Sequence, residues 1–396
     1  MHAFCVRIVL TEAAEPERSS PSCSRTCYPR PVNRATGWIR NPVWDLSLLA
    51  LPWVPLYFWF VFGLHLDAGG GEVAVFGRHF DALALAALVV LAITFVHRHY
   101  TFVLVYGDAP TFTENARSYV ITPIVLFAIL LAARSGADVT LVGGVSAWDV
   151  ALAISGTWNV WHTVQQRYGI FRVYAGKAGG GLESRVQARR DQSLMWSLVI
   201  AIALAMLLFR RITFLGHDIA RHTLLMAMPI LDAPWFTPIA ITLGVAVALV
   251  IAVWTWHEIR APLTFAQRVP RLTFLGSTLL LFCVFLVHGP IVGYLCFGSA
   301  HALEYLAFVH HFGERKFAGR PDARSPAALL LRRPLVMAPV LAGSLVAAYA
   351  LLQSVSGTDL YLAYYIGSSM LHFLYDGWIW KVRKPAVAAP LGARTA

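Results

Sequence analysis

Long apolar runs recur along this sequence and constrain its fold more than any other feature does. A helix needs about 20 consecutive apolar residues to cross the hydrocarbon core of a bilayer. Ten such runs predict an all-α fold, a polytopic transmembrane helix bundle of about ten spans. They lie near residues 43–65, 83–105, 118–134, 147–167, 193–210, 236–257, 273–290, 292–312, 334–354 and 359–380.

The composition supports a membrane protein and argues against a nucleic-acid-binding one. Hydrophobic residues make up 58% of the chain and charged residues 13%, whereas soluble domains are about 25% charged. A net charge of +11 could indicate nucleic acid in a soluble chain. Here the basic residues lie between apolar runs, where they set orientation and contact anionic lipid. We therefore expect the lipid bilayer, and no nucleic acid, as a partner.

The distribution of Lys and Arg predicts the domain organisation and the orientation. With the amino terminus in the cytoplasm, 26 of the 32 basic residues fall on the cytoplasmic side, as the positive-inside rule requires. Both termini are then cytoplasmic, in an inner or cytoplasmic-type membrane. Residues 1–40 are predicted to be a disordered cytoplasmic tail, 41–383 a single transmembrane domain, and 384–396 a disordered carboxy-terminal tail.

Histidines within the apolar runs point to a functional site, because a polar group inside a membrane is costly unless it is paired or ligating. Several lie near the cytoplasmic ends of different spans, where a helix bundle can bring imidazoles together around a metal ion. The predicted metal ligands are His97, His99, His162, His310, His311 and His372. Glu304 and Asp376 are the predicted catalytic carboxylates.

Helical spacing refines these candidates. Glu304 and His311 are seven residues apart and share one helical face, and His301 lies three residues before Glu304 on the same side. That face can hold a metal ion or a proton relay. His97 and His99 point to opposite sides of a regular helix, so at most one of them faces a common site. Asp376, one turn after His372, can accept the second N–H of that ring or can itself bind the metal.

Three other interpretations of these groups are open. The histidines can simply hydrogen-bond to neighbouring helices, or they can form a proton relay with Glu304 and Asp376 in a transporter or proton-coupled carrier. Two of them on facing helices can also ligate haem. A histidine-rich set without thiolates favours non-haem iron (Fe2+) over a structural zinc site.

Three segments resemble motifs of a known family: Trp161-His162, Phe308-Val309-His310-His311-Phe312, and Leu371-His372-Phe373-Leu374-Tyr375-Asp376. In this respect the chain is similar to histidine-rich multipass membrane oxygenases, and to the Brp/Blh-type β-carotene dioxygenase family among them. The resemblance implies a membrane-bound, metal-dependent oxidoreductase of the oxygenase or desaturase type. It also implies iron, O2 and a lipid or isoprenoid substrate.

Overall fold

The computed structural model describes residues 37–136, 139–142, 144–208, 213–214, 217–218, 232–318, 325–382 and 384–393. These residues are mostly helical, which confirms the prediction of an all-α chain. Their β structure is limited to three short antiparallel hairpins. The hairpins pair Glu72–Val75 with Arg78–Asp81, Thr140–Val142 with Val145–Ser146, and Thr213–Phe214 with His217–Asp218.

Twelve α-helices are found in these ranges. They are α1 (Pro42–Asp45), α2 (Val54–Phe58), α3 (Ala82–Tyr106), α4 (Ala109–Glu114), α5 (Ala116–Ser135), α6 (Ala147–Ala178), α7 (Arg185–Leu208), α8 (Phe236–Arg260), α9 (Phe265–Ala318), α10 (Pro326–Arg332), α11 (Pro334–Ile379) and α12 (Pro385–Leu391). Two π-helical turns, Leu46–Ala50 and Trp59–Gly63, extend α1 and α2, and the 3₁₀ turn Leu66–Ala68 follows them.

Fewer helices than the ten predicted spans qualify as membrane-crossing segments. Within the described residues, five helices are long and apolar enough, or up to seven if each of two bent helix pairs is one span. The prediction of ten is therefore wrong by this measure. One reason is that α6 contains Asp149, Asn159 and His162 and is too polar to qualify. The other is that two of the predicted runs lie in α11, and two more lie in α9 on either side of a kink, so each pair is counted as one helix.

A kink divides the longest helix. α9 has 54 residues and would be about 81 Å long if straight, far more than the hydrocarbon core of about 30 Å. Gly289, with φ 81° and ψ 178°, breaks the helical geometry just before Pro290. Glycine alone adopts this backbone conformation readily, and proline removes a helical hydrogen bond. The two predicted runs 273–290 and 292–312 are thus separated by a kink at Gly289.

Four helices pack against one another and enclose the interior of the bundle. α9 packs against α3 and α6, and α11 packs against the same two helices. α9 also contacts α7, α10 and α12. Apolar residues such as Phe274, Leu281 and Ala300 are fully buried along α9. The four helices α3, α6, α9 and α11 therefore surround a shared interior.

A buried ion network ties four helices together beside that interior. Asp191 on α7 accepts hydrogen bonds from Arg172 at 2.5 Å and from Arg271, and it also accepts one from Trp254 Nε1 at 2.8 Å. Glu258 on α8 lies 3.2 Å from Arg271. Because buried charges persist only when they are paired, this network fixes how α6, α7, α8 and α9 meet.

The two predicted tails differ in how far the structure describes them. Residues 1–36 lie outside the described residues. Ile39 is buried, and its backbone N–H donates to Asp45. The segment 384–396, expected to be a disordered tail, contains α12, whose Val387 and Leu391 are buried against the bundle.

Candidate metal centre

Four buried histidines meet in the interior between α3, α6, α9 and α11. Each comes from a different helix, and each is at most 5% exposed. In chain order they are His97, His162, His301 and His372. Neighbouring rings pack mostly edge to face, with centroids 4.7–5.0 Å apart for the pairs that involve His97 or His162.

Two ring nitrogens lie close to a third, and all three are within 4.8 Å of one another. Nε2 of His97 lies 3.0 Å from Nε2 of His301 and 3.2 Å from Nε2 of His372. A neutral imidazole has one proton, so His97 can donate from Nε2 to only one of these neighbours. Two nitrogens bound to one ion at about 2.1 Å lie roughly 3.0–3.4 Å apart in octahedral or tetrahedral geometry. The observed spacing therefore fits ligands of a shared metal ion better than a set of hydrogen bonds.

A carboxylate extends the group on one side. Oδ2 of Asp376 lies 3.7 Å from Nε2 of His162 and 3.7 Å from Nε2 of His372. Nε2 of His162 is buried and has no hydrogen-bond partner among the described residues. Two overlapping sets can therefore hold a metal, namely His97 with His301 and His372, and His162 with His372 and Asp376.

A repeated spacing explains how these helices form the site. Each of the four carries a histidine and, four residues later on the same face, a second polar residue. The pairs are His97 with Thr101, His162 with Gln166, His301 with Tyr305, and His372 with Asp376. In each pair, the second residue hydrogen-bonds to a neighbouring helix of the site. The side chain of Gln166, for example, donates to the backbone carbonyl of His301 at 2.9 Å.

Of the predicted ligands, His97, His162 and His372 come together, and His99 does not. His99 points to the opposite side of α3, as the helical spacing requires. Its Nδ1 lies 2.7 Å from the carbonyl of Phe95, and its Nε2 lies 2.6 Å from the hydroxyl of Tyr364. With both ring nitrogens engaged elsewhere, His99 lies outside the cluster.

His310 and His311 also lie outside the cluster, which corrects the expectation that they share a site with His162 and His372. Nε2 of His310 lies 3.2 Å from the hydroxyl of Tyr100, and the ring of His311 packs on that of Trp44 at 5.2 Å. The reason is distance along the helix. His310 follows His301 by nine residues, about 14 Å of helix, so both cannot reach the same level.

Glu304, a predicted catalytic residue, is held in an ion pair. Its Oε1 lies 2.5 Å from Nη1 of Arg167, and both side chains are at most 1% exposed. Arg167 also donates to the hydroxyl of Thr278 at 3.2 Å. The geometry thus gives Glu304 a structural partner, and it assigns Asp376 alone of the two predicted carboxylates to the histidine cluster.

His301 is the cluster histidine that the sequence placed on a candidate metal-binding face without naming it as a ligand. It was expected on the same helical face as Glu304, but it was not among the predicted ligands. Its four-residue spacing to Tyr305 matches the spacing on the other three helices, but His310 and His311 are also followed by polar residues, Glu314 and Arg315, so spacing alone does not select His301.

A cavity of about 630 Å³ reaches the cluster from one side. His162, Tyr305 and Asp376 line the end next to the cluster. The remaining wall is rich in aromatic rings and ends in charged residues. These residues include Trp161, Phe308, Phe373 and Trp380, and then Arg172, Glu183, Arg185 and Lys381. Pockets of about 300–1,000 Å³ with apolar walls and a few polar groups are typical of small-molecule sites.

Comparisons of this chain with protein-family models, with curated proteins and with solved structures found no match. The buried histidine and carboxylate groups are positioned to bind a metal ion, and the apolar helices are compatible with an integral membrane protein.

Proposed function

We propose that this chain is a multipass membrane metalloenzyme of the non-haem iron oxygenase or desaturase type. The metal ligands in this proposal are His97, His162, His301 and His372, with Asp376 as a fifth donor. The proposal rests on two short contacts. Nε2 of His97 lies 3.0 Å from Nε2 of His301 and 3.2 Å from Nε2 of His372. When bound, iron would supply the activation of O2 that such enzymes need.

The donor set narrows the choice of metal. Imidazole with a carboxylate suits iron, zinc or copper. Among the described residues no thiolate takes part, since Cys283 and Cys296 lie outside the cluster. Haem held by two histidines needs the porphyrin plane between them, and a 3.0 Å contact between two rings leaves no such space. The resemblance to histidine-rich membrane oxygenases favours iron.

The cavity supports a lipid or isoprenoid substrate. Its aromatic walls can pack against an apolar chain, and it ends at His162 and Asp376. Gly169 and Gly377 also line it, and a Cβ atom at either position would meet nothing within 4 Å. These glycines therefore leave room along the wall. A substrate entering from the bilayer would meet the proposed metal on the His162 side.

The proposed orientation follows from the Lys and Arg distribution. The basic residues at the ends of α6 and α9 and in the last segment of the chain then face the cytoplasm. In this orientation the histidine cluster lies towards the inner leaflet.

Metal analysis of paired histidine variants tests the proposal. The protein is purified in detergent, loaded anaerobically with Fe2+ and measured for bound metal and visible absorption. We expect one or two ions per chain, no haem spectrum, and loss of the metal in His301→Ala and His372→Ala. His310→Ala is the matched control, because it removes the same side chain from the same helix as His301. The proposal fails if the wild-type protein binds no stoichiometric metal, or if His310→Ala loses as much metal as His301→Ala.

A proton-coupled carrier is the second candidate. A hydrogen-bonded chain runs from Asp376 through Thr101 to His372 and on to His97, and such chains can relay protons. Proteoliposomes loaded with a pH-sensitive dye distinguish the two functions. Proton flux that His372→Ala abolishes, in protein without bound metal, would favour the carrier.

A further inference from the structure

One threonine hydroxyl lies between three polar groups at the edge of the histidine cluster. Oγ1 of Thr101 is 2.7 Å from Nδ1 of His372, 2.9 Å from Oδ1 of Asp376 and 2.5 Å from the hydroxyl of Tyr305. Thr101 is fully buried, and Tyr305 is 2% exposed. Water therefore cannot take the place of this hydroxyl without a change in packing.

Beside a cation, the protons of this network have an arrangement in which the carboxylate only accepts and Tyr305 shares its proton between Asp376 and Thr101. An ionised carboxylate can only accept hydrogen bonds, so Thr101 donates its single proton to Oδ1 of Asp376. The oxygen of Thr101 is then free to accept from Nδ1–H of His372. With the proton of the neutral ring on Nδ1, Nε2 of His372 keeps its lone pair, and this is the atom that faces His97.

The same hydroxyl orients the carboxylate. Oδ1 of Asp376 accepts from Thr101 and from Tyr305, each at 2.9 Å. Because both donors bind Oδ1, the other oxygen is turned towards the cluster, where it lies 3.7 Å from Nε2 of His162 and of His372. Thr101 on α3 therefore orients two proposed metal ligands on α11, His372 and Asp376.

We propose that Thr101 is a positioning residue that fixes the tautomer of His372 and the rotation of Asp376 for metal binding. This inference rests on the proposed metal centre and goes beyond it, since Thr101 itself does not contact the ion. Partners that hydrogen-bond to metal ligands hold them in the binding orientation, and their loss commonly weakens metal affinity by about 10- to 100-fold. Thr101 serves two of the proposed ligands at once, His372 and Asp376.

Removal and restoration of the hydroxyl test this role. Thr101→Val keeps the branched shape and removes the hydroxyl, whereas Thr101→Ser keeps the hydroxyl and removes a methyl group. The dissociation constant of Co2+ is measured by competition with a chelator, and the visible absorption of bound Co2+ reports its ligand geometry. We expect a dissociation constant 10- to 100-fold higher and an altered Co2+ spectrum in Thr101→Val, with both close to wild type in Thr101→Ser.

Thr163→Val is the matched control. Thr163 is also buried and follows His162 directly, but its hydroxyl bonds to the backbone carbonyl of Asn159 in its own helix at 2.9 Å. This variant should keep the wild-type affinity. The inference is overturned if Thr101→Val binds Co2+ as the wild type does, or if Thr163→Val weakens binding equally.

Two further outcomes separate this inference from the proposed function. If the wild-type protein binds no Co2+ or Fe2+, the metal centre itself fails, and Thr101 loses its role with it. If Thr101→Val does not fold, Tyr305→Phe takes its place. Tyr305→Phe leaves the Thr101–His372 contact intact and removes one of the two hydrogen-bond donors to Asp376. We therefore expect it to weaken Co2+ binding measurably, but by less than the 10- to 100-fold expected for removal of the Thr101 hydroxyl. Wild-type affinity and spectrum in Tyr305→Phe would contradict the orientation of Asp376 proposed here.

Discussion

The buried ion pair between Arg167 and Glu304 makes a quantitative prediction about stability. The two side chains join α6 to α9 at 2.5 Å and are 1% and 0% exposed. Arg167→Met removes the cation and leaves the carboxylate in the interior. Oε2 of Glu304 has no hydrogen-bond partner among the described residues, so no second donor compensates for the loss.

The expected magnitude follows from this environment. Breaking a buried ion pair by removing one partner typically costs about 3–5 kcal/mol, because an unpaired charge remains in the interior. Thr278 keeps a bond to the backbone carbonyl of Phe274 at 2.9 Å, so its hydroxyl adds little to the cost. Replacing both charges, in Arg167→Met with Glu304→Leu, removes the unpaired charge. We expect the double variant to recover most of the loss and to lie within about 2 kcal/mol of wild type.

The free energy of unfolding in mixed micelles measures these differences. An exposed pair of the same chemistry is the control, since Nη1 of Arg40 lies 2.8 Å from Oε2 of Glu314, with the side chains 41% and 56% exposed. Arg40→Met should cost no more than about 1 kcal/mol. The reasoning is refuted if Arg167→Met is no more destabilising than Arg40→Met, or if the double variant is as unstable as the single one. A stable double variant with full metal content and no turnover would return Glu304 to a catalytic role.

Three further predictions concern a kink, a cavity wall and a loop carboxylate. Gly289→Ala should destabilise the protein by about 1–3 kcal/mol, because its backbone conformation is almost confined to glycine; thermal unfolding measures this, and an unchanged midpoint would contradict it. Gly169→Leu should fill the cavity and abolish turnover of a lipid substrate with unchanged metal content, and full turnover would exclude this cavity as the substrate site. Burial alone would raise the pKa of Asp108, but hydrogen bonds from Lys316 and Thr111 outweigh it and hold the pKa below the ordinary value of 3.8. The carboxylate therefore stabilises the fold above pH 3.8, and this contribution is lost as the pH falls below it. Unfolding midpoints measured from pH 7 to pH 3 should fall more steeply for the wild type than for Asp108→Asn, and parallel curves would refute the assignment.

The helical class and most of the helical regions were predicted from the sequence, because apolar runs long enough to cross a membrane usually form helices. It did not predict how many helices result. Hydropathy locates apolar segments, but it does not show whether the residues between two runs stay helical. In α11 the chain continues as a helix between two predicted runs, and in α9 the change of direction is confined to Gly289.

The candidate site was predicted in part for a similar reason. His97, His162, His372 and Asp376 were expected from their depth in the spans, and these four residues come together. Depth alone could not choose between His301 and the adjacent pair His310 and His311, because the level of α9 relative to its neighbours depends on packing between helices. The hydrogen bonds made four residues after each histidine depend on the same packing.

The histidine cluster joins parts of the chain that are remote in sequence, since the contact between His97 and His372 spans 275 residues. An ion held there would act as a cross-link between four separate helices, and it would bind the folded bundle but not an unfolded chain. The unfolding temperature should then rise with metal concentration. At a metal concentration about one hundred times the dissociation constant, the free energy of unfolding should increase by about 2.7 kcal/mol. Assembly of the bundle and acquisition of the ion would in that case be a single thermodynamic event.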